Sequence, residues 1–309
     1  MADLIYHDDT LTYTSYLGVD KLLTLQQERA KPAHHDELLF IISHQVYELW
    51  FKQMLHEVVE ICDRLDHDDA QRAAHYFDRL HKIQHLLIEQ LPVLETMFAV
   101  DFAQFRDHLR PASGFQSVQF RKLEFLCGAK NPAMMKLAGE DQGTRSQLEA
   151  ALKAPSVYDH LLHYLARPAG GSLAIPRSVL ERDTSKVHEP SEETAKAIMP
   201  LYQDPQKHYL QFRLCEHFVE FEERFQLWRF HHVKMVERMI GSMPGTGGSA
   251  GAKYLAGTLA IKFFPELWML RSYIGGSYGQ AALGADPPAP GTPGGGCPMG
   301  FSAPRSPSL

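Results

Sequence analysis

Apolar side chains recur every three or four residues along most of the chain, and this spacing predicts amphipathic α-helices. Two stretches keep the pattern over an unusual length, one at about residues 34–65 and one at about residues 205–240. Shorter stretches of the same kind lie around them, and no row of strictly alternating apolar and polar residues indicates a sheet. The pattern therefore predicts an all-α fold, a bundle-like domain with two long helices.

Glycine and proline mark the expected end of this domain. Residues 284–309 are rich in Gly, Pro and Ala, a composition that cannot bury enough apolar surface to fold. We expect one all-α domain over residues 1–283 and a disordered tail over residues 284–309. Inside the domain, proline and glycine divide residues 129–190 into short helices, and the polar character of this part predicts a surface subregion.

Charge and composition exclude several classes of protein. The net charge is -6 over 309 residues, so there is no basic excess to neutralise the phosphates of a nucleic acid. No apolar run approaches the ~20 residues that a membrane-spanning helix needs. The N-terminus carries acidic residues and no apolar segment typical of a signal peptide. A cytoplasmic protein that binds neither nucleic acid nor membrane is expected.

Helical phase singles out one histidine on each long helix. His44 shares an apolar, aromatic face with Phe40 and Phe51. On the second helix His232 falls on an apolar face, whereas the adjacent His231 falls among charged residues, and neighbours on a helix point about 100° apart. A core histidine with a hydrogen-bond partner explains each of them. Two inward histidines on the two longest helices also fit a shared site.

Several kinds of site can be weighed against these histidines. A di-iron site in a helical bundle uses Glu-x-x-His motifs, and the chain contains none. His81 and His85 are spaced as a metal pair but lack an obvious third ligand. No G-x-S-x-G motif indicates a hydrolase, and residues 245–251 lack the lysine and the preceding strand of a phosphate-binding loop. A flat cofactor such as haem, held by one neutral histidine, fits two long helices, although phase and composition do not establish it.

Five motifs, in this order, resemble the tryptophan 2,3-dioxygenase family. They are TYTSYLGVDKLL, HDELLFIISHQVYELWFKQ, DFAQFRDHLRPASGFQSVQFRKLEF, FQLWRFHHVKMVERMIG and GTGGSAG, and the resemblance covers roughly residues 10–275. It implies one haem b per subunit, L-tryptophan and dioxygen as substrates, and N-formyl-L-kynurenine as product, the first step of tryptophan breakdown by the kynurenine route. It also implies a homotetramer of all-α subunits.

The resemblance also implies roles for individual residues. His232 matches the proximal iron ligand, and His44 matches the distal histidine that accepts a hydrogen bond from the indole N–H. Phe40 matches an aromatic residue that packs on the indole. Arg106 matches the arginine that binds the substrate carboxylate, and Thr246 matches a threonine that contacts the amino-acid end of tryptophan.

Two further segments match the family pattern. Tyr13, Tyr16 and Leu17 match N-terminal residues that reach into the pocket of a neighbouring subunit. Ser113 and Gly114 match a loop beside the haem.

One position departs from some members of the family. Phe102 stands where certain bacterial relatives carry a tyrosine, whose hydroxyl adds a contact to the carboxylate. Three alternatives to the dioxygenase remain open from the sequence: a haem-binding sensor on the same scaffold, a helical interaction protein without a cofactor, and an oxygenase that cleaves a broader range of indoleamines.

Overall fold

The structure, a computed structural model, describes residues 11–248 and 250–274. Within these residues the regular secondary structure is helical and no strand is present, which confirms the all-α prediction. The α-helices in chain order are α1 Tyr13–Leu17, α2 Val19–Leu22, α3 His35–Asp66, α4 Ala70–Leu94, α5 Ala99–Arg106, α6 Val118–Leu126, α7 Gln142–Lys153, α8 Val157–Ala166, α9 Arg177–Leu180, α10 Glu192–Gln203, α11 Tyr209–Ile240, α12 Ala252–Gly257 and α13 Pro265–Met269. Short 3-10 helices occur at Asp107–Leu109, Gly114–Gln116, Pro132–Ala138, Pro168–Gly170, Thr258–Ala260 and Leu270–Tyr273.

The two long helices predicted from the apolar spacing are α3 and α11, each 32 residues in length. The side chain of His34 caps α3 by accepting the main-chain N–H of Asp36, and acidic residues in the first turn suit the positive end of the helix dipole. Helix α11 begins four residues later than the pattern predicts, at Tyr209. The difference arises because Asp204 accepts the N–H of Lys207 at 3.1 Å and holds residues 204–208 in a turn.

Helix α4 packs against both α3 and α11 and joins them into one core. In addition to apolar contacts, hydrogen bonds from polar side chains fix the position of α4. The hydroxyl of Tyr47 on α3 donates to the carbonyl of Leu87 at 2.6 Å, and Gln84 donates to the carbonyl of Phe221 on α11 at 2.8 Å. Pro92 lies inside the last turn of α4, and the helix continues to Leu94.

Part of residues 129–190 lies in the interior. Helix α8 packs on α3, and its Leu161 is fully buried. Some of its polar residues are buried or partly buried and have partners. Asp159 forms an ion pair with Arg182 at 2.7 Å, and the ammonium of Lys130 donates to the carbonyl of Ala154 at 2.6 Å. Some polar residues of this segment are therefore interior, while others, such as Glu140 and Gln142, are exposed.

The chain divides into a large compact unit, Met1–Leu270, and a second unit, Arg271–Leu309. Of the second unit the structure describes only residues 271–274. The predicted domain end at residue 283 and the predicted tail at 284–309 lie outside the described residues. Among the helices of the described part, none is both long and apolar enough to cross a membrane.

Candidate functional site

A cavity opens between α3, α11 and the loops that follow α5 and α11. The space amounts to about 1530 Å³, including its opening to solvent. Its wall is mostly apolar and aromatic with a few polar and charged groups, which is the usual make-up of a small-molecule site. Eight of the residues singled out in the sequence line it: Phe40, His44, Phe102, Arg106, Ser113, Gly114, His232 and Thr246.

His232 lies on the cavity side of α11, as helical phase predicts, and His231 is exposed. The imidazole of His232 stacks on the indole of Trp228, with ring centroids 5.3 Å apart. The side chain keeps some accessible surface because it borders the cavity, yet protein atoms surround it. This burial, with the nearby His44 as a second cause, lowers the pKa of His232 to about 4. The ring is therefore neutral at neutral pH, which is the form that ligates iron.

His44 lies across the cavity on α3, and one hydrogen bond fixes its tautomer. Its Nδ1 lies 2.7 Å from the carbonyl oxygen of Phe40. Because a carbonyl can only accept, Nδ1 carries the hydrogen and Nε2 keeps a free lone pair. Burial lowers the pKa of His44, which also favours the neutral ring. The residue therefore offers the cavity a hydrogen-bond acceptor.

Aromatic rings build an apolar wall beside His44. The rings of Phe40 and Phe102 stack with centroids 5.6 Å apart, and Phe102 meets Phe105 edge-on at 5.3 Å. Such a wall suits a flat aromatic ligand. Phe102 contributes packing here and, unlike a tyrosine, brings no hydroxyl to the site.

Arg106 ends α5 and is only 4% exposed. A lone arginine in a sequence is usually a surface charge, so its burial is informative. Its guanidinium donates to the carbonyl of Pro244 and lies 3.9 Å from the sulfur of Met243. Both partners belong to a segment that we call the glycine loop, residues 243–248. Arg106 thus places a positive charge at the cavity and holds this loop.

The glycine loop rests on residues 111–113. The hydroxyl of Thr246 donates to the carbonyl of Ala112 at 2.6 Å. A Cβ on Gly247 would lie 2.6 Å from the Cβ of Ser113, a distance that real side chains do not tolerate. Glycine is therefore required at position 247 for the two loops to meet.

The Gly247→Ala variant is expected to lower kcat/KM by about 10–10²-fold, because an ångström of displacement at a binding residue has effects of this size. The added methyl group pushes the loop from Ser113 and moves Thr246 with it. Gly257→Ala is the matched control, since a Cβ there meets nothing within 4 Å. Steady-state kinetics of both variants measure the difference. Equal loss in the two would show that the close contact with Ser113 has no functional role.

A buried cluster of charged side chains, not predicted from the sequence, also lines the cavity. Glu124 on α6 accepts from Arg121 at 2.5 Å and from Arg229 at 2.8 Å. Two guanidinium groups and one carboxylate leave one net positive charge. Helical phase contains a signal for it, because Arg229 lies four residues after Phe225 and three before His232 and so shares their face.

Three predicted site residues lie apart from the cavity. Tyr13, Tyr16 and Leu17 belong to α1, which has no buried residue. Both tyrosines are more than 70% exposed. The structure therefore brings the other eight residues together and leaves these three on the surface of the subunit.

The residues around the cavity fit a haem. His232 offers a neutral imidazole. The cluster of Arg121, Glu124 and Arg229 offers one net positive charge, and the Nε of Arg121 is buried without a hydrogen-bond partner. A haem carries two propionates, and a carboxylate is the group that an arginine pairs with best.

Comparison with known proteins agrees with this geometry. The sequence matches the family model for tryptophan 2,3-dioxygenase over residues 4–163 and 180–274. It is 43% identical over 265 residues to the tryptophan 2,3-dioxygenase of Kineococcus radiotolerans, an alignment that covers 86% of this chain and 92% of that protein. Identity is 42% to the tryptophan 2,3-dioxygenases of Serratia proteamaculans and Xanthomonas oryzae pv. oryzae, each aligned over 86% of this chain and over 94% and 88% of their own lengths. The chain belongs to the tryptophan 2,3-dioxygenase family.

Proposed function

We propose that this protein cleaves the C2–C3 bond of the indole of L-tryptophan with dioxygen and forms N-formyl-L-kynurenine, the first step of tryptophan breakdown by the kynurenine route. One observation carries the proposal: a neutral histidine, His232, and a buried arginine, Arg106, line the same cavity. The first suits an iron ligand and the second suits the carboxylate of an amino acid. Membership of the family supports the same activity.

Haem b, one per subunit, is the cofactor of this proposal. His232 would hold the iron, and the charge cluster around Glu124 would meet a propionate. When bound, the haem supplies the iron at which dioxygen is activated. The protein supplies the orientation of the substrate and a site shielded from water.

Arg106 and Thr246 would position the amino-acid end of tryptophan. The planar guanidinium makes two charge-assisted hydrogen bonds to a carboxylate and thereby fixes its orientation. Because Phe102 lacks a hydroxyl, Arg106 carries more of this interaction than in relatives with a tyrosine. The glycine loop, which carries Thr246, would also exclude water from the bound amino acid.

His44 and Phe40 would position the indole. The free Nε2 of His44 accepts the indole N–H, and Phe40 packs on the ring. Together with Arg106 they fix both ends of the substrate, so that the C2–C3 edge is presented to the oxygen. Holding reactants in a productive geometry of this kind removes a large part of a reaction barrier.

The test uses the haem-loaded protein, reduced without oxygen, mixed with L-tryptophan and then exposed to air. Appearance of the N-formylkynurenine absorbance supports the proposal. A stable haem spectrum without product would indicate a sensor, and a protein that shows no Soret band after haem loading would indicate an interaction protein. Turnover of D-tryptophan and tryptamine at the rate of L-tryptophan would indicate a broader indoleamine oxygenase.

The His44→Ala variant is expected to keep its haem and to lose about 10–10²-fold in kcat/KM, no more than the smallest contribution of a general base, which is about 10²-fold. Electrophilic attack on indole need not begin with deprotonation, so the histidine orients the substrate and is not an obligatory base. The exposed His56 on the same helix gives the control, His56→Ala. With 1-methyl-L-tryptophan, which has no indole N–H and whose methyl group would meet the imidazole of His44, the advantage of wild type over His44→Ala should disappear. A haem-loaded His44→Ala variant without any turnover would contradict this role.

A homotetramer in which α1 completes the pocket of a neighbouring subunit is also part of the proposal. Exposure of Tyr13 and Tyr16 supports it, because large aromatic side chains at a subunit surface are typical of interfaces. A cytoplasmic location stays a prediction.

Subunit mixing gives a specific test of this arrangement. Tyr13→Ala and Arg106→Leu homotetramers should each have low activity. When the two chains are co-expressed and assembled together, some pockets combine an intact Arg106 with an intact Tyr13 from the other chain. We expect activity in the mixture to exceed the mean of the two homotetramers several-fold. Activity equal to that mean would show that Tyr13 serves its own subunit or no pocket.

A further inference from the structure

Away from the cavity, two packed helices present matching pairs of metal-ligating residues to each other. Helix α4 carries Asp78 and His81, and α11 carries His217 and Glu220. A spacing of three residues places both members of each pair on one face of their helix. Because α4 and α11 pack together, the four side chains meet. Paired i, i+3 motifs on facing helices are how helical bundles build metal sites.

The distances bring three of these residues within reach of one ion. One ligand atom each from Asp78, His81 and His217 lie within 4.8 Å of one another. Nδ1 of His81 lies 3.5 Å from a carboxylate oxygen of Glu220, and Nδ1 of His217 lies 3.9 Å from a carboxylate oxygen of Asp78. The two imidazole rings are stacked, with centroids 5.4 Å apart.

The histidines are prepared for coordination. Nε2 of His81 donates to the main-chain carbonyl of His217 at 3.1 Å. This bond fixes the tautomer and leaves Nδ1 with a lone pair, as the outer hydrogen bond of a metal-ligating histidine does. The ring of His217 makes no hydrogen bond in the part of the chain that the structure describes, although both rings are buried. Its Nδ1 faces the carboxylate of Asp78 at 3.9 Å, a distance too long for a hydrogen bond, and a cation placed between the two would bind both.

We propose that Asp78, His81 and His217 bind a divalent ion of the zinc class and thereby link α4 to α11. Two imidazoles with carboxylate oxygen form a donor set that zinc prefers. Glu220 can add a further oxygen, because its other oxygen is the one that pairs with Arg224 at 2.7 Å.

The side chain of Asp78 can move to bring the donor atoms closer together. Donors bound at zinc's 2.0–2.1 Å stand about 3.3 Å apart in a tetrahedron, so the present spacing must contract. Most of the movement can come from the Asp78 side chain, which is 65% exposed and free to change rotamer, whereas the side chain of His217 is 7% exposed.

This site is separate from the proposed haem site. None of its four residues lines the cavity, and His217 precedes His232 by about 22 Å along α11 at 1.5 Å per residue. It also differs from the pair suggested by spacing alone, because His85 is exposed while His81 is buried against α11. The ion would stabilise the native state, in which the two helices are packed, over the unfolded chain.

The experiment uses the haem-loaded full-length protein, cleared of divalent ions with a chelator and titrated with Zn²⁺ in a calorimeter. We expect one strong site per subunit and a rise of several degrees in Tm. The chain has 17 histidines, so weak surface binding is the background against which variants are compared. His85→Gln is the control and should match wild type.

Two variants decide the outcome. Asp78→Asn changes an exposed side chain, so it should fold normally and bind Zn²⁺ at least about tenfold more weakly, since losing even a group that only orients a metal ligand costs about 10–100-fold. His217→Gln should lose the strong site and the rise in Tm. If the wild type shows no strong site, or if Asp78→Asn binds Zn²⁺ with wild-type affinity, the proposal is wrong. Should His217→Gln fail to fold, the Asp78→Asn result alone decides.

Discussion

The His232→Ala variant is expected to lose iron ligation and all detectable turnover. Alanine cannot ligate iron, and no other histidine of α11 shares the position, since His231 points to solvent. The haem would be retained weakly or not at all, because His232 is the residue that would hold its iron. Two measurements check this result, the Soret absorbance after haem titration and the rate of N-formylkynurenine formation.

The adjacent histidine provides a matched control for this variant. His231→Ala removes the same side chain one position away and should leave the spectrum and the rate close to wild type. Imidazole added to His232→Ala should enter the space left by the ring and restore part of the Soret band. A His232→Ala protein with the spectrum and activity of wild type would show that another residue holds the iron.

The Arg106→Leu variant is expected to lower kcat/KM for L-tryptophan by about 10²–10⁴-fold, since two hydrogen bonds to a charged group contribute about 3–6 kcal/mol together. Leucine has a similar volume but neither charge nor donors. The loss should appear mainly as a higher KM, because the carboxylate is held in the ground state as well as in the transition state. Steady-state kinetics with L-tryptophan measure it.

Tryptamine separates the two roles that the structure gives to Arg106. This substrate has no carboxylate, so its kcat/KM should hardly change if the variant loses only the carboxylate contact. A parallel loss for tryptamine would instead show that removing the bond to Pro244 disorders the glycine loop. Arg110→Leu, four residues away at an exposed position, controls for the loss of a nearby positive charge. An unchanged KM for L-tryptophan in Arg106→Leu would assign the carboxylate to another residue.

Local sequence patterns predict the parts of the structure that depend on one helix. The period of apolar residues predicts the bounds of α3 and α11 to within a few residues, because an amphipathic helix must turn its apolar face toward the core. The same period separates His232 from His231. Arg106 is different, since its charge alone favours the surface, and only the family motif around it predicts a site.

Features made by two distant segments appear only in part in a local pattern, because helical phase can place one residue, such as Arg229, on an inner face but cannot identify its partner. Glu124 and Arg229 are 105 residues apart, and His81 and His217 are 136 apart. Each of these residues alone looks like a solvated or simply buried side chain, and its role depends on the partner that folding brings to it. The contact of Gly247 with Ser113 is of the same kind, because a glycine-rich stretch alone predicts only a flexible loop.

The bond between Arg106 and the carbonyl of Pro244 has a consequence for how tightly an amino acid can bind. A free arginine side chain loses up to about 2 kcal/mol of rotamer entropy when a ligand immobilises it. Here burial and the main-chain carbonyl already hold the guanidinium, and its five N–H groups leave donors for a carboxylate. The side chain of Arg106 is therefore already ordered before the ligand binds. Nearly all of the attraction between its guanidinium and a carboxylate remains available to favour amino acids over amines.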